Sequence, residues 1–185
     1  MNSRNRILFW FRENLFLNSN PALYTALVEG NELIPVYCFD PREFLLLPNE
    51  TLTEDYANQQ INNVSLLRHN LQLKGSNLLI VTDPYEKIIP SLARILDVHS
   101  VVSDIEAPSG THTFEKISTF RHQKAMEVKG LLNMHSIPVH FVGCHDKVQA
   151  ETPIFPTFPE INPGQIPTRE HFLHQLTSYR RSIAC

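Results

Sequence analysis

The apolar stretch at residues 7–11, ILFWF, decides the fold class of this chain. A short, continuous apolar run is typical of a β-strand that is covered on both faces, as strands of parallel sheets are. Asn20 and Pro21 follow as the cap and the first residue of a helix, and Gly30 is a residue type that ends one. The first thirty residues therefore predict a strand followed by a helix that crosses back over the sheet.

The same alternation repeats along the chain to about residue 145. Four further apolar runs predict strands at residues 33–39, 78–81, 98–103 and 137–142. Strands that alternate with helices form parallel sheets with right-handed crossovers. We therefore predict that residues 1–145 form a doubly wound, Rossmann-like α/β domain with a five-stranded parallel sheet in the order 3-2-1-4-5.

Apolar residues at helical spacing predict the helices between these strands. Thr53 is the predicted cap of a long helix whose buried face carries Ile61, Val64, Leu67 and Leu71. A second helix opens at Asp83 and Pro84 and is expected to bury Ile88, Leu92 and Ile95. Pro90 lies inside this pattern, so it is expected to kink the helix or to mark an extra turn. A third is predicted over residues 113–135.

The last forty residues have a different composition. Five prolines fall within fifteen positions, at Pro153, Pro156, Pro159, Pro163 and Pro167. Proline has no backbone N–H, so this segment is neither a long helix nor a central strand. We predict that residues 146–185 form a proline-rich connector and a short terminal helix. The connector is expected to lie on the domain through Ile154, Phe155, Phe158 and Ile161, and the helix to offer for association Phe172, Leu173, Leu176 and Tyr179.

The composition is that of one globular domain, with 42% hydrophobic residues and a formal net charge of −3. An acidic balance argues against a strong nucleic-acid surface, because duplex binding depends on Lys and Arg. No apolar run approaches the roughly 20 residues that a membrane helix needs, and the first residues do not resemble a signal peptide. Three widely spaced cysteines predict neither a disulfide framework nor a zinc site. We therefore predict a cytoplasmic protein with reduced thiols, no bound metal and no membrane contact.

Several separated motifs resemble the photolyase and cryptochrome family. Residues 9–17 (FWFRENLFL) and 20–23 (NPAL) resemble the family's opening signature, and residues 36–42 (VYCFDPR) its second strand, especially in the DASH branch. Further matches to that branch occur at residues 66–71 (LLRHNL), 74–79 (KGSNLL), 88–93 (IIPSLA) and 176–182 (LTSYRRS). The resemblance implies a domain that holds an antenna cofactor, a folate or a deazaflavin, beside a helical domain that carries FAD and the DNA lesion.

This chain departs from the family pattern in two places, and we expect it to carry no helical domain. Asn14 and Phe16 stand where the family has an aspartate and an arginine, and Asp104 or Glu106 would have to replace a glutamate that accepts hydrogen bonds from a folate. With no helical domain, we expect no FAD on this chain alone. DNA-repair activity as a deoxyribodipyrimidine photolyase would then require a flavin-binding helical partner.

Ligands of open parallel sheets bind beyond the carboxyl ends of the strands, where the strand order reverses. In the predicted order, that crevice lies between strands one and four. Its expected cofactor-binding residues are Phe11, Arg12, Glu13, Asn14, Phe39, Asp40, Ser103, Asp104, Ile105 and Glu106. Arg12 is suited to a phosphate or carboxylate, and Phe11 or Phe39 to stacking on a ring. The alternative is an ion pair between Arg12 and Glu13, Asp40 or Asp104 that closes an empty crevice.

No catalytic motif accompanies this crevice. Residues 12–16 contain no glycine-rich phosphate loop, and neither a Gly-x-Ser-x-Gly elbow nor a histidine pair at helical spacing occurs. Two functions stay open. The chain is either a module that binds an antenna or nucleotide-like cofactor, with a homo-oligomer or a separate helical domain as partner, or a cofactor-free interaction or regulatory domain descended from a photolyase. An unrelated nucleotide-binding enzyme is least consistent with the motifs.

Overall fold

The computed structural model describes residues 5–105, 112–143 and 154–183. Five strands occur in this part of the chain: β1 (Arg6–Phe11), β2 (Glu32–Phe39), β3 (Leu79–Thr82), β4 (Ser100–Ile105) and β5 (Val139–Gly143). The helices are α1 (Pro21–Glu29), α2 (Pro41–Phe44), α3 (Glu50–Leu73), α4 (Tyr85–Ile95), α5 (His112–Met134) and α6 (Arg169–Ile183). The strands form one parallel sheet in the order β3-β2-β1-β4-β5, which confirms the predicted fold.

β1 lies at the centre of the sheet, and its side chains supply both hydrophobic cores. Ile7, Phe9 and Phe11 pack on one face against α1, α3 and α6. Leu8 and Trp10 pack on the other face against α4 and α5. Successive side chains of a strand point to opposite faces, so a strand without polar residues needs helices on both sides of the sheet. The uninterrupted apolar run therefore produces the doubly wound architecture.

The start of α3 and the presence of α2 differ from the sequence-based prediction. α3 begins at Glu50, and its cap is Asn49, whose side chain accepts the N–H of Leu52 at 2.9 Å. Thr53 instead donates its hydroxyl to the carbonyl of Asn49. The one-turn helix α2 was not predicted; the Asp40 carboxylate caps it by accepting the N–H of Arg42.

The buried face of α4 also differs from the prediction. Ile89 and Ala93 are fully buried, whereas Ile95 is 78% exposed. Ile88 and Leu92 are only partly buried against the same core. Ile89 and Ala93 lie one position C-terminal to the predicted Ile88 and Leu92, and they pack in the core that β1 and α5 share. The helix continues through Pro90, which is itself buried.

Pro163 and Gly164 of the tail lie at the edge of β3. The N–H of Ile80 donates to the carbonyl of Pro163 at 2.8 Å, and Arg68 donates to the carbonyls of Leu78, Pro163 and Gly164. An edge strand has unpaired backbone groups, and the carbonyl of Pro163 pairs with one of them, the N–H of Ile80. A tail that lies on the domain was predicted, and the structure places it at the edge of the sheet.

Most of the apolar residues predicted to anchor the tail, and two of those predicted in α6, pack on a core of the domain. Phe155 is buried, and Phe158 and Ile161 pack on the core of α4 and α5, but Ile154 is 94% exposed. Phe172 and Leu176 of α6 are buried against the core of α1 and α3. The prediction that these two residues are available for association is therefore wrong. No helix in the three described segments is long and apolar enough to span a membrane.

Candidate functional site

The turn after β1 is tied to the end of β4 by three hydrogen bonds that are buried or partly buried. The Asp104 carboxylate accepts the backbone N–H of Glu13 at 3.0 Å and that of Asn14 at 3.2 Å. Arg12 donates from Nη1 to the backbone carbonyl of Asp104 at 2.9 Å. Arg12 and Asp104 are both almost fully buried. These contacts bring four of the predicted site residues together at the carboxyl ends of β1 and β4.

The other predicted residues lie farther from this point or deeper in the fold. Phe11 and Phe39 are fully buried in the core, and Ser103 donates its hydroxyl to the carbonyl of Trp10. Asp40 forms an ion pair with Arg42 at 2.6 Å and accepts the N–H of Tyr85, so it belongs to the α2–α4 side of the sheet. Ile105 is half-buried, and Glu106 lies outside the described residues. Whether these residues contact a ligand stays a prediction.

Residues from four helices complete the crevice, and the sequence reasoning missed them. Arg121 of α5 forms an ion pair with Glu43 of α2. Glu43 also accepts hydroxyl hydrogen bonds from Tyr56 of α3 at 2.7 Å and from Tyr85 of α4 at 2.6 Å. All four residues are buried. The available signal was in α5, where Arg121 occupies the helical position between two core residues, Ile117 and Ala125.

The electrostatics of this network hold Glu43 ionised. Burial by itself raises the pKa of Glu43, but the charge of Arg121 and hydrogen bonds from Arg121, Tyr85 and Tyr56 together hold that pKa below its usual value. The pKa of Tyr56 and that of Tyr85 are raised, first by burial and then by the neighbouring Glu43 charge. Both tyrosines therefore remain protonated donors.

Glu13 is more exposed than Glu43, and its contacts with the arginines are longer. Its carboxylate lies 3.3 Å from Nη1 of Arg121 and 3.9 Å from Nη2 of Arg12, and its side chain is 21% exposed. Burial raises the pKa of Glu13, although both arginine charges oppose the shift. The predicted alternative, in which Arg12 pairs with Glu13, is present only as this long contact.

A cleft opens beside this network, between the β1–α1 turn and α3. We call it the α3 cleft, and its volume is about 170 Å³. Its lining residues are Arg12, Glu13, Leu15, Phe16, Gln60, Asn63, Leu66, Leu67, Asn70 and Arg121. Of the residues predicted to bind a cofactor, Arg12 and Glu13 line it. Two larger clefts adjoin it along α3, of about 510 Å³ and 550 Å³; the first shares Asn63 and the second shares Phe16 and Asn70.

Three buried polar atoms at this site lack a hydrogen-bond partner among the residues that the structure describes. They are Nε of Arg12, Nε of Arg121 and Oδ1 of Asp104. A buried polar group without a partner costs free energy of about 1–3 kcal/mol, and more when it is charged. A ligand or ordered water bound at this site would form hydrogen bonds with these atoms.

The fold and the site thus define the class of protein. It is a doubly wound α/β domain with a polar crevice at the carboxyl ends of its strands. A family model described as DNA photolyase matches residues 7–151, and the chain belongs to this family. The match covers β1 to β5 together with the turn that carries Arg12 and Glu13.

Curated relatives and solved structures agree with this assignment. The chain is 33% identical over 129 residues to the Blue-light photoreceptor PHR2 of Arabidopsis thaliana, covering 68% of this chain and 29% of that protein. It is 34% identical over 123 residues to the chloroplastic/mitochondrial cryptochrome DASH of Solanum lycopersicum, covering 63% of this chain and 21% of that protein. The chain thus spans less than a third of the length of these relatives.

The fold itself matches an archaeal photolyase from Sulfolobus tokodaii. The TM-score is 0.67 at 18% sequence identity, over 91% of this chain and 41% of that chain. At this level of identity the likeness shows the shared fold alone.

Proposed function

We propose that this chain is the cofactor-binding α/β module of a photolyase- or cryptochrome-type protein, and that its α3 cleft takes a planar antenna cofactor. The observation that carries the proposal is the composition of the cleft. Leu15, Phe16, Leu66 and Leu67 supply apolar walls, and Arg12 and Arg121 supply buried charged groups at one end. An apolar pocket with a few convergent polar groups is typical of small-molecule sites.

Phe16 suits the cleft to a flat ring. It is 75% exposed beside the cleft, and an aromatic side chain in such a position can stack on a planar ligand. It stands where the family has an arginine, so the chain presents an apolar face in place of a charge. Stacking of Phe16 on the ligand would remove the most exposed apolar side chain of this region from water.

The size of the groove supports a ring with an attached chain. The α3 cleft is small by itself, but the adjoining clefts extend it along α3 in both directions. Ligand sites usually measure about 300–1,000 Å³, and each of the two adjoining clefts lies within this range. The Sulfolobus tokodaii photolyase is described as holding two FAD molecules and as implicating a novel light-harvesting cofactor. A flavin, a deazaflavin or a folate is therefore the class of ligand that we propose.

We further propose that a helical domain, joined to these residues or carried by a separate chain, supplies the FAD chemistry of DNA repair, because the chain spans only a fraction of the relatives' length. A second candidate function is a cofactor-free interaction domain. Its support is that Arg121, Glu43 and the two tyrosines fill the strand-end crevice with the protein's own side chains.

Equilibrium dialysis of the purified chain against riboflavin and against a folate tests the proposal. Asn63 is exposed and lines two of the clefts, so Asn63→Trp should fill the groove and abolish binding while the fold stays intact. Gln72→Trp makes a comparable change at an exposed position of α3 that is absent from the cleft linings, and it should bind as the wild type does. If the wild type binds neither ring, the cofactor-free domain is favoured instead. If Asn63→Trp binds a ring as well as the wild type does, the ligand site lies outside the α3 cleft.

A further inference from the structure

Two buried arginines line the α3 cleft, and they contact their carboxylate partners at different distances. Arg121 is tightly paired with Glu43 through Nη2. Its other terminal nitrogen, Nη1, contacts Glu13 only at 3.3 Å. Nη2 of Arg12 lies 3.9 Å from Glu13, whereas charge-assisted hydrogen bonds of this kind measure about 2.7–2.9 Å. Glu13 is therefore a loosely held carboxylate between two guanidinium groups.

The burial of these groups shows which of them can move. Arg12 and Arg121 are held among core elements, with 4% and 7% of their surfaces exposed. Glu13 belongs to the turn after β1, and its carboxylate reaches solvent through the cleft that it lines. A rotation of the Glu13 side chain would return its carboxylate to water and leave both arginines in place. The Nε atoms of both arginines already lack partners among the described residues.

We infer that the α3 cleft selects an anionic ligand, whose phosphate or carboxylate displaces the Glu13 carboxylate from between Arg12 and Arg121. This inference rests on the proposed function, because it names the chemical class of the ligand and the contact that regulates its entry. The exchange replaces one anion by another, so the local charge balance with Glu43 and Asp104 is preserved when the incoming group carries one negative charge. The free energy that burial costs Glu13 is recovered when its carboxylate is hydrated again.

The charged surroundings of Glu13 agree with a displaceable carboxylate. Four charged groups act on it: Arg12 of the same turn, Arg121 of α5, Asp104 of β4 and Glu43 of α2. Burial, Asp104 and Glu43 all raise the pKa of Glu13, and the two arginines do not fully compensate. Among the three carboxylates of the network, Glu13 has the longest contacts and the greatest exposure.

Matched pairs of ligands separate the anionic group from the ring. FMN differs from riboflavin by its phosphate, and folate differs from its diamide only by its two carboxylates. We expect the wild-type chain to bind FMN more tightly than riboflavin, or folate more tightly than folate diamide, and the pair that shows the preference identifies the oxyanion. In Glu13→Gln the affinity for the preferred anionic ligand should rise about fivefold or more, because its competitor is gone, and the neutral member should change less than about twofold.

Glu160→Gln is the control, since it removes the same charge at an exposed position of the tail. It should leave all four affinities at their wild-type values. The wild-type preference within each pair is measured without any substitution, so the inference remains testable even if Glu13→Gln folds poorly. Equal binding of riboflavin and FMN, and of folate diamide and folate, would overturn the inference and leave the proposed function standing. Binding of none of the four would overturn both.

Discussion

The carboxylate of Asp104 accepts the backbone N–H of Glu13 at 3.0 Å, across 91 residues of sequence. It accepts the N–H of Asn14 as well, so one side chain of β4 holds the turn that follows β1. β1 and β4 are neighbours in the sheet because the strand order reverses between them. The contact therefore determines where Arg12 and Glu13 stand relative to the α3 cleft.

Asp104→Ala is expected to lower the free energy of unfolding by about 2–4 kcal/mol, because it leaves two backbone donors without their acceptor. Asp104→Asn keeps one side-chain oxygen that can accept both N–H groups, so its loss should be smaller. Urea unfolding followed by circular dichroism measures both values. Asp55→Ala, at an exposed position of α3, serves as the control. Equal stability of Asp104→Ala and the control would show that the turn does not depend on this carboxylate.

Glu43→Gln should destabilise the domain by about 3–5 kcal/mol, since it leaves the buried Arg121 guanidinium without its close counter-ion. The same change at the exposed Glu127 should cost less than about 0.5 kcal/mol. Tyr56→Phe and Tyr85→Phe each remove one hydrogen bond to Glu43 and are expected to cost about 1.5–3 kcal/mol, the usual range for bonds to charged groups. Denaturant midpoints for the four variants test the order. A Glu43→Gln variant as stable as Glu127→Gln would contradict a structural role for the ion pair.

The pH dependence of stability should contain two contributions of opposite sign. The folded-state pKa of Glu43 is lowered, so its contribution is present above the usual glutamate pKa and is lost as the pH falls through the folded value. The folded-state pKa of Glu13 is raised, so its contribution is fully present below the usual value and is lost as the pH rises through the folded one. Glu13→Gln removes the second contribution and should make the loss of stability between pH 7 and pH 4 steeper than in the wild type. Unfolding free energies across that range supply the comparison, and parallel curves would argue against a raised pKa at Glu13.

Gly164→Ala is expected to detach the tail from the edge of β3. Gly164 has a φ of 71°, and an added Cβ would lie 2.5 Å from the carbonyl oxygen of Ile80. Gly75→Ala provides a matched control, because Gly75 has a φ of 76° but no atom within 4 Å of the added Cβ. Both variants lose about 1 kcal/mol or more to backbone strain. Only Gly164→Ala should also make residues 154–168 susceptible to limited proteolysis; the same cleavage pattern in both variants would rule out the steric explanation.

The chain alone is expected to show no light-driven repair of pyrimidine dimers. In this family the repairing electron comes from a reduced flavin, and the proposed antenna site does not replace that flavin. Illumination of the purified chain with dimer-containing single-stranded DNA is the experiment, read by the absorbance of restored thymine. A rise in that absorbance without any added protein would refute the expectation.

Much of the architecture was predictable from local patterns. The apolar run of β1 predicted a strand buried on both faces, and Asn20 with Pro21 predicted the start of α1, where the Asn20 side chain accepts the N–H of Leu23. These signals are reliable because each depends on a few adjacent residues and on the periodicity of one element. The start of α3 was less clear, since both Asn49 and Thr53 are acceptable caps and packing selects between them.

The candidate site was predictable only in part. The rule for strand ends correctly brought Arg12, Glu13, Asn14 and Asp104 together, because strand order follows from the alternation of strands and helices. It did not predict Arg121 or Glu43, which come from helices whose rotation about their own axes is set by packing. A charged residue in a helix is usually on the solvent side, and only its burial beside an opposite charge distinguishes Arg121.

The sequence by itself determined the order of strands and helices, the parallel sheet and the family to which the chain belongs, since these follow from local periodicity and from contiguous motifs. Only the tertiary structure decided that Arg121 enters the crevice, that Glu13 remains loosely held there, and that the tail covers β3. Each of these depends on residues between 78 and 109 positions apart, or on a tail that lies more than eighty residues beyond β3. Contacts at such separations depend on how whole elements pack, and no short stretch of sequence encodes that packing.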